Sequence, residues 1–241
     1  MTKTLSRRQI ISGFIAAASC GLCPATENAE FEFQWMKAAL SESERPTNNS
    51  PAPTTGSEVT EAATEIWEAY RRAALQAGWD KQILPVPEEG IDVAIKEKRQ
   101  PKIMASKFQA EGKEMPYVLL RRGDKPKNGW PLFISMHGGG QYGGKEDIGP
   151  HGWDVNSREW QTQMSLTAGG YKPAGLYLIP RMADDRLGRW WHLHNIKIFD
   201  QAIRKAILLR DVDPNRVYMM GISQGGYGTC HLSPFLADHL A

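Results

Sequence analysis

The chain has 241 residues, of which 41% are hydrophobic and 23% are charged, and its formal net charge is +2. This length and balance are those of an ordinary globular domain with a buried core. A net charge so near zero gives no electrostatic case for nucleic acid or an anionic membrane as a partner, and no apolar stretch is long enough to be a convincing membrane-spanning helix.

The N-terminal residues have the pattern of an export signal. Three basic residues precede an apolar run from residue 10 to 23, and small residues follow up to Ala25. A basic segment, a short apolar segment and a small-residue exit are typical of a cleaved signal, and Ser-Arg-Arg-Gln-Ile at 6–10 resembles the bacterial twin-arginine motif. The sequence predicts an export signal over 1–25 and a protein that acts in the periplasm or outside the cell.

Three cysteines are present, and two of them, Cys20 and Cys23, lie in the predicted signal. No second cysteine or histidine pair stands nearby to complete a zinc site with them. The residues before Cys20 match the bacterial lipoprotein box poorly, because Ala17 stands where a larger aliphatic residue is usual, so a lipid anchor there is not favoured. Only Cys230 would remain after cleavage, and we expect it to be a small core residue rather than part of a disulfide.

Residues 26–56 are predicted to be a low-complexity linker. Their second half is rich in Ser, Thr, Asn and Pro and buries too little apolar surface to offset its ordering entropy. Apolar residues at three- and four-residue spacing from Val59 to Ala74 then predict a helix, which Gly78 is expected to end. We assign residues 57–241 to one α/β domain.

A β-rich region follows that helix, with its best strand at Met115–Arg122 and a turn at 124–129. Beyond Pro131, three short apolar runs are typical of strands buried on both faces: 132–136, 176–179 and 217–220. Helical patterns fill the intervals and the end of the chain: 157–166, 196–207 and 224–240. Residues 213–216 are predicted to be a turn. Alternating strands and helices predict a mostly parallel sheet with helices on both faces.

The strongest chemical signal is Gly221-Ile222-Ser223-Gln224-Gly225, between the last predicted strand and the last predicted helix. In this context, G-x-S-x-G is typical of a nucleophile elbow, a sharp turn that exposes a serine at the end of a strand. The turn crowds the residues two before and two after the serine, which suits glycine. We therefore predict Ser223 as the nucleophile and the N–H of Gln224 as a donor to an oxyanion.

A second glycine motif, His137-Gly138-Gly139-Gly140, closes the strand predicted at 132–136. Glycines let a backbone approach a substrate closely and turn its N–H groups inward, as an oxyanion hole requires. A five-residue motif arises easily by chance. Two motifs in the right order, each after a buried strand, make the prediction specific, and we add Gly138, Gly139 and Gly140 to the oxyanion hole.

With these motifs, the stretch 131–237 resembles the secreted α/β-hydrolases related to polyhydroxyalkanoate depolymerases, feruloyl esterases and the catalytic domain of prolyl-oligopeptidase-like proteins. Residues 131–140 and 213–226 carry the resemblance. It implies an α/β-hydrolase fold and a carboxylic-ester hydrolase that forms an acyl-enzyme on Ser223. The substrate would be a small-molecule or polymer-borne ester. We expect no cofactor.

In this fold the triad runs Ser, then Asp or Glu, then His along the chain. After Ser223 come only His231, Asp238 and His239, all in the predicted last helix. His231 lies about 12 Å along a helix that rises ~1.5 Å per residue, too far to be a general base. We interpret the chain as a fragment that stops after the nucleophile helix and is inactive alone. Val217–Met220 would then be an apolar edge strand and an aggregation site.

A polar and aromatic cluster lies between the last two predicted strands: Arg181, Asp184, Asp185, Arg186, Arg189, Trp190, Trp191, His192 and His194. Trp190 and Trp191, with His192 beside them, are candidates to contact a sugar or phenolic group of a substrate. A packed surface loop with internal ion pairs is an equally good interpretation. The spacing of the histidines and aspartates matches no metal-site pattern, so no metal is expected.

Two other functions stay open beside the esterase. A serine peptidase of the prolyl-oligopeptidase type shares the elbow, but nothing in this chain resembles the large propeller domain that usually accompanies it. A non-catalytic, hydrolase-like protein fits a chain in which no general base is recognised.

Overall fold

A computed structural model describes residues 56–110, 112–139, 152–185 and 189–241, the side chains of 56–63 and 152–154 excepted. The predicted export signal, including Cys20, and the predicted linker up to residue 55 lie outside these ranges, as do Gly140 and Arg186. The chain divides into two compact units, Met1–Asp80 and Lys81–Ala241.

The described part of the first unit consists mainly of helix α1 (Gly56–Gln76). Gly78 follows it with a φ of 72°, and its N–H donates to the carbonyl of Leu75 at 3.0 Å. A left-handed glycine at this position is a common end of a helix. The predicted helix and its predicted stop are both confirmed. Trp79–Gln82 then forms a short 3-10 helix.

The second unit alternates strands and helices in the order that the sequence predicts. Its elements are α2 (Ile91–Lys96), β1 (Met104–Ala110), β2 (Lys113–Arg122), β3 (Trp130–Met136), α3 (Gly152–Gly169), β4 (Gly175–Pro180), α4 (Leu193–Arg210), β5 (Val212–Gly221) and α5 (Gln224–Leu232), followed by a 3-10 helix (Ser233–Phe235). Within the described residues, no helix has the length and apolar character needed to cross a membrane.

The strands form one five-stranded sheet in the order β1-β2-β4-β3-β5. β3 is parallel to both β4 and β5, whereas β2 is antiparallel to β1 and to β4. Four strands therefore point the same way and only β2 is reversed, which confirms the prediction of a mostly parallel sheet.

The centre of the sheet explains the apolar runs of the sequence. Every residue of β4 is buried, and so are six of the seven in β3. Aromatic rings line up across the strands, because Phe133 stacks on Tyr177 at 4.8 Å on one side and on Tyr218 at 5.2 Å on the other. α3 packs on the sheet, with the indole N–H of Trp160 donating to the carbonyl of Ile179 at 2.9 Å.

Two local predictions are corrected. The turn predicted at 213–216 lies inside β5, where the N–H of Asn215 donates to the carboxylate of Asp213 at 2.9 Å and the pairing with β3 shifts register. The last helix ends at Leu232 instead of continuing to residue 240. Pro234 accounts for this end, since proline lacks the N–H and its ring clashes with the preceding turn of an α-helix.

Candidate active site

Both glycine motifs begin where two neighbouring parallel strands end. Met136 of β3 pairs with Gly221 of β5, so His137 and Ile222 leave the sheet side by side. The N–H of Ile222 also faces the carbonyl of Met136, at 3.4 Å. In open α/β sheets, ligands bind beyond the carboxyl ends of the strands. The two motifs therefore meet where a ligand site is expected.

Ser223 has a backbone conformation that few residues other than glycine adopt. Its φ is 53° and its ψ is −115°, and it is exposed at the N-terminus of α5. Such strain costs on the order of 1–3 kcal/mol and clusters at functional sites. The N–H of Tyr227 donates to the carbonyl of Ser223 at 3.0 Å, and the N–H of Gly225 to that of Ile222 at 2.9 Å. This strained strand-to-helix turn has the backbone geometry of a nucleophile elbow, and the nucleophilic role of Ser223 stays a prediction.

Glycines at the elbow are required by the close approach of backbone to backbone. A Cβ on Gly221 would lie 2.3 Å from the carbonyl carbon of Gly225, and a Cβ on Gly225 would lie 2.2 Å from the carbonyl oxygen of Met136. Both distances are far inside van der Waals contact. The shape of the elbow therefore requires glycine at both positions of the motif.

The second motif runs directly beside Ser223. A Cβ on Gly138 would lie 3.4 Å from the Cβ of Ser223, and Gly139 has a φ of 78°, which favours glycine. The N–H of Gln224, the first residue of α5, has no partner within the helix, as is true of any first helical turn. The backbone of both chain segments thus lies close to the Ser223 side chain. The oxyanion-hole roles of Gly138, Gly139 and Gln224 stay a prediction, and Gly140 lies outside the described residues.

His137 is fully buried and fixes the loop instead of acting as a base. Its Nε2 accepts the N–H of Met182 at 3.0 Å, so the proton is on Nδ1, which lies 2.5 Å from the carbonyl oxygen of Gly138 and donates to it. Burial lowers the pKa of His137 to about 4, so the ring is neutral near pH 7. A neutral imidazole with both nitrogens engaged ties the end of β3 to the segment after β4.

Trp190 connects this loop to the nucleophile helix. Its indole N–H donates to the carbonyl of His137 at 3.0 Å, and its ring meets the imidazole edge to face at 4.9 Å. On its other side it packs against α5 so closely that a Cβ on Gly228 would lie 2.5 Å from its own Cβ. Trp190 is 0% exposed. A fully buried indole offers no face to a substrate, so the prediction of Trp190 as a substrate-stacking residue is wrong, and the indole instead packs between the loop at His137 and α5.

The neighbouring side chains of that cluster differ from Trp190 in being partly exposed. Trp191 lies 4.8 Å from the ring of His231 on α5, with the guanidinium of Arg189 5.4 Å from the Trp191 ring. His192 stacks against His194 at 5.8 Å. Trp191 and His192 therefore stay candidates for substrate contact, whereas His231 contacts an indole.

No described residue forms a hydrogen bond with the hydroxyl of Ser223. His239 instead bonds the carboxylate of Asp200 at 2.7 Å, and that carboxylate also pairs with Arg204. Desolvation acts to raise the pKa of Asp200, but the contacts with His239 and Arg204 outweigh it, so this pKa is below its usual value. The histidine–aspartate pair is thus part of a separate structural network.

Sequence reasoning missed Glu159, an acidic side chain of α3 beside the loop. A Cβ on Gly139 would lie 2.8 Å from its Cγ, and a Cβ on Gly138 would lie 3.1 Å from its Oε2. Nothing in the sequence marks this residue, since it is one glutamate in a helix without a motif. Only the packing of α3 against the loop brings it to the nucleophile.

Two further features of the described residues concern metal binding and the thiol of Cys230. No group of three or more His, Cys, Asp or Glu among the described residues is arranged to hold a metal ion. Cys230 is exposed on α5, so the expectation that it is a core residue is wrong.

No protein-family model matches this chain, and no curated protein matches it. Solved structures that resemble it include a thermostable esterase, at 22% identity and a TM-score of 0.38, covering 58% of this chain and 39% of that one. A hyperthermophilic esterase from the archaeon Pyrobaculum calidifontis is 14% identical with a TM-score of 0.35, and the match covers 70% of this chain and 53% of that one. A fungal esterase from Rhizomucor miehei is 15% identical with a TM-score of 0.35, and the match covers 69% of this chain and 51% of that one. The chain spans about half of the length of these structures, or less.

The fold follows from the chain's own geometry. A mostly parallel sheet is covered by helices, a strained serine stands at the strand-to-helix turn after β5, and a glycine loop follows β3 beside it. A nucleophile elbow over such a sheet, with a glycine loop after the third strand, is the defining arrangement of the α/β-hydrolases. The second unit therefore has the α/β-hydrolase fold.

Proposed function

We propose that this protein is a serine hydrolase that cleaves carboxylic esters through an acyl-enzyme on Ser223. The observation that carries the proposal is the strained, exposed serine of the elbow with the Gly138 backbone against it. Strain of this kind has no structural use at a surface turn, where an unstrained residue would be more stable. It serves to hold a nucleophile in front of backbone N–H donors.

In the proposed reaction, the Ser223 hydroxyl attacks the ester carbonyl and passes its proton to a general base. The oxyanion of the tetrahedral intermediate accepts the N–H of Gln224 and of the glycine loop, Gly138 to Gly140. The carbonyl re-forms, the alcohol leaves with the proton, and water then attacks the acyl-enzyme by the same route. We propose that the acid and the histidine of the triad come from outside the described residues.

We also propose that the protein is exported, by the twin-arginine route, to the periplasm or beyond. The support is the basic, apolar and small-residue pattern of residues 1–25. Mass spectrometry of the mature protein checks this: we expect a cleaved N-terminus near residue 25. Export that continues after both arginines at 7 and 8 are changed to lysine would contradict the twin-arginine route.

The reaction is tested with a fluorophosphonate probe, which bonds to an activated serine. We expect the protein to be labelled at Ser223, as mapped by peptide mass spectrometry, and Ser223→Ala to abolish the label. A label that persists in Ser223→Ala would overturn the assignment of Ser223 as the nucleophile.

Substrate panels separate the alternatives. Hydrolysis of short acyl esters without cleavage of proline-containing peptides supports the esterase over the prolyl-oligopeptidase-like peptidase. Absence of any label at Ser223 in the natural protein would favour the non-catalytic, hydrolase-like protein instead.

A further inference from the structure

The carboxylate of Glu159 stands next to the reacting centre. One point, the Cβ position of Gly138, lies 3.1 Å from the Oε2 of Glu159 and 3.4 Å from the Cβ of Ser223. Both side chains therefore lie against the backbone of the same loop residue. An ester bound at Ser223 would have this carboxylate as a neighbour.

Glu159 has no hydrogen bond and no ion pair within the described part of the chain. Arg181, which reaches Ser157 of the same helix, bonds the carboxylate of Asp185 at 2.8 Å and the hydroxyl of Ser157 at 3.3 Å. Glu159 is only partly exposed. It is a charge held beside the nucleophile and not neutralised there by a described side chain.

This placement is unfavourable for the hydrolysis of a neutral ester. The repulsion between two like charges grows as they approach each other and as water is excluded from between them. A carboxylate beside a developing oxyanion thus opposes the transition state that the glycine loop stabilises. A substrate with a positive charge near the scissile bond reverses the sign of this effect.

Resting on the proposed function, we infer that Glu159 is a substrate-recognition residue that selects esters bearing a cationic group, such as an ammonium, close to the ester carbonyl. The cation lies against the carboxylate while the carbonyl faces Ser223 and the glycine loop. The negative charge that opposes neutral substrates becomes the source of the preference.

The first test compares two phosphonate probes that differ only in charge, one with a trimethylammonium group and one with the isosteric tert-butyl group. We expect the natural protein to be labelled about tenfold faster by the cationic probe, which corresponds to ~1.4 kcal/mol. Glu159→Gln should remove this preference and speed labelling by the neutral probe, because the charge that opposes the oxyanion is gone. The preference should also fall as salt is raised, because the charges are partly solvated.

Control variants separate recognition from folding and from net charge. Glu88→Gln removes one negative charge from an exposed position far along the chain, and it should keep the preference. Glu159→Asp keeps the charge on a shorter side chain and should keep part of it. Thermal melts of all three variants should match that of the natural protein.

A binding experiment without reaction keeps the inference apart from the proposed function. We expect nuclear magnetic resonance titration to show that choline binds more tightly than its neutral isostere 3,3-dimethylbutanol, and that Glu159→Gln makes the two equal. Cation binding without labelling at Ser223 would overturn the proposed hydrolase function and leave the proposal of a cation site at Glu159 standing. Equal labelling by both probes, or equal loss of both in Glu159→Gln, would overturn the role of Glu159 and leave the hydrolase.

Discussion

The two glycine motifs lie side by side, yet they are held in different ways. The elbow is fixed by contacts within a few residues of Ser223 and by the neighbouring end of β3, since Gly221 nearly touches Gly225 and Gly225 nearly touches Met136. The loop at His137 is fixed from a distance, because its hydrogen-bond partners Met182 and Trp190 are 45 and 53 positions away along the chain.

The elbow is therefore held by steric contacts, whereas the loop at His137 is held by hydrogen bonds. The elbow is shaped by its own glycines and by the strand next to it. The loop depends on a buried imidazole and a buried indole, which respond to substitution and to pH. Damage to the elbow should therefore act through steric clash, and damage to the loop through lost hydrogen bonds.

The largest effect is expected from Gly225→Ala. The new methyl group would lie 2.2 Å from the carbonyl oxygen of Met136, and because that atom belongs to the backbone of a central strand it has nowhere to move. Overpacking of this kind costs about 3 kcal/mol. Urea denaturation of the purified protein measures the loss.

Gly226→Ala is the matched control for this clash. Its new Cβ would be 3.4 Å from the nearest atom, the carbonyl oxygen of Gly221, and alanine favours a helix over glycine by up to about 1 kcal/mol. We expect its stability to be unchanged or higher. A Gly225→Ala protein as stable as Gly226→Ala would show that the elbow is not sterically fixed.

A smaller effect is expected from Trp190→Phe. The change removes the donor to the carbonyl of His137 and leaves that buried oxygen unpaired, which costs about 2 kcal/mol together with the lost packing. Since the loop carries the predicted oxyanion donors, labelling of Ser223 should also slow. Trp191→Phe, at the half-exposed neighbour, should change neither quantity by much. Slowed labelling in both variants alike would argue against a special role for Trp190.

The sequence predicts what depends on local rules and misses what depends on distant contacts. The buried strands and the elbow follow from apolar runs and from glycine spacing, and each was found where expected. The burial of Trp190 and the position of Glu159 follow from how α3 and the segment before α4 pack around the loop. A tryptophan in a polar stretch looks like a surface feature until the fold shows what covers it.

The smallest effect on stability is expected from a change of pH, which acts on the loop through His137. Burial lowers the folded-state pKa of His137 to about 4, below its ordinary value of 6.5. Between these values the His137 imidazole binds more protons in the unfolded chain than in the folded one. Its contribution to the free energy of unfolding is therefore full above pH 6.5 and falls as the pH drops toward 4. The loss from pH 7 to pH 5 should be about 1–2 kcal/mol.

His137→Gln isolates this contribution, because its amide oxygen can replace Nε2 as an acceptor for the N–H of Met182 but does not titrate. We expect the variant to be less stable at pH 7 and to lose less stability on acidification, in parallel denaturation curves at pH 7 and pH 5. Equal slopes for the two proteins would show that the loop's imidazole does not set the acid sensitivity. Gly226→Ala should keep the full pH dependence of stability, since the elbow contains no group that titrates in this range. Different pH dependences of the two variants would show that hydrogen bonds hold the loop and steric contacts hold the elbow.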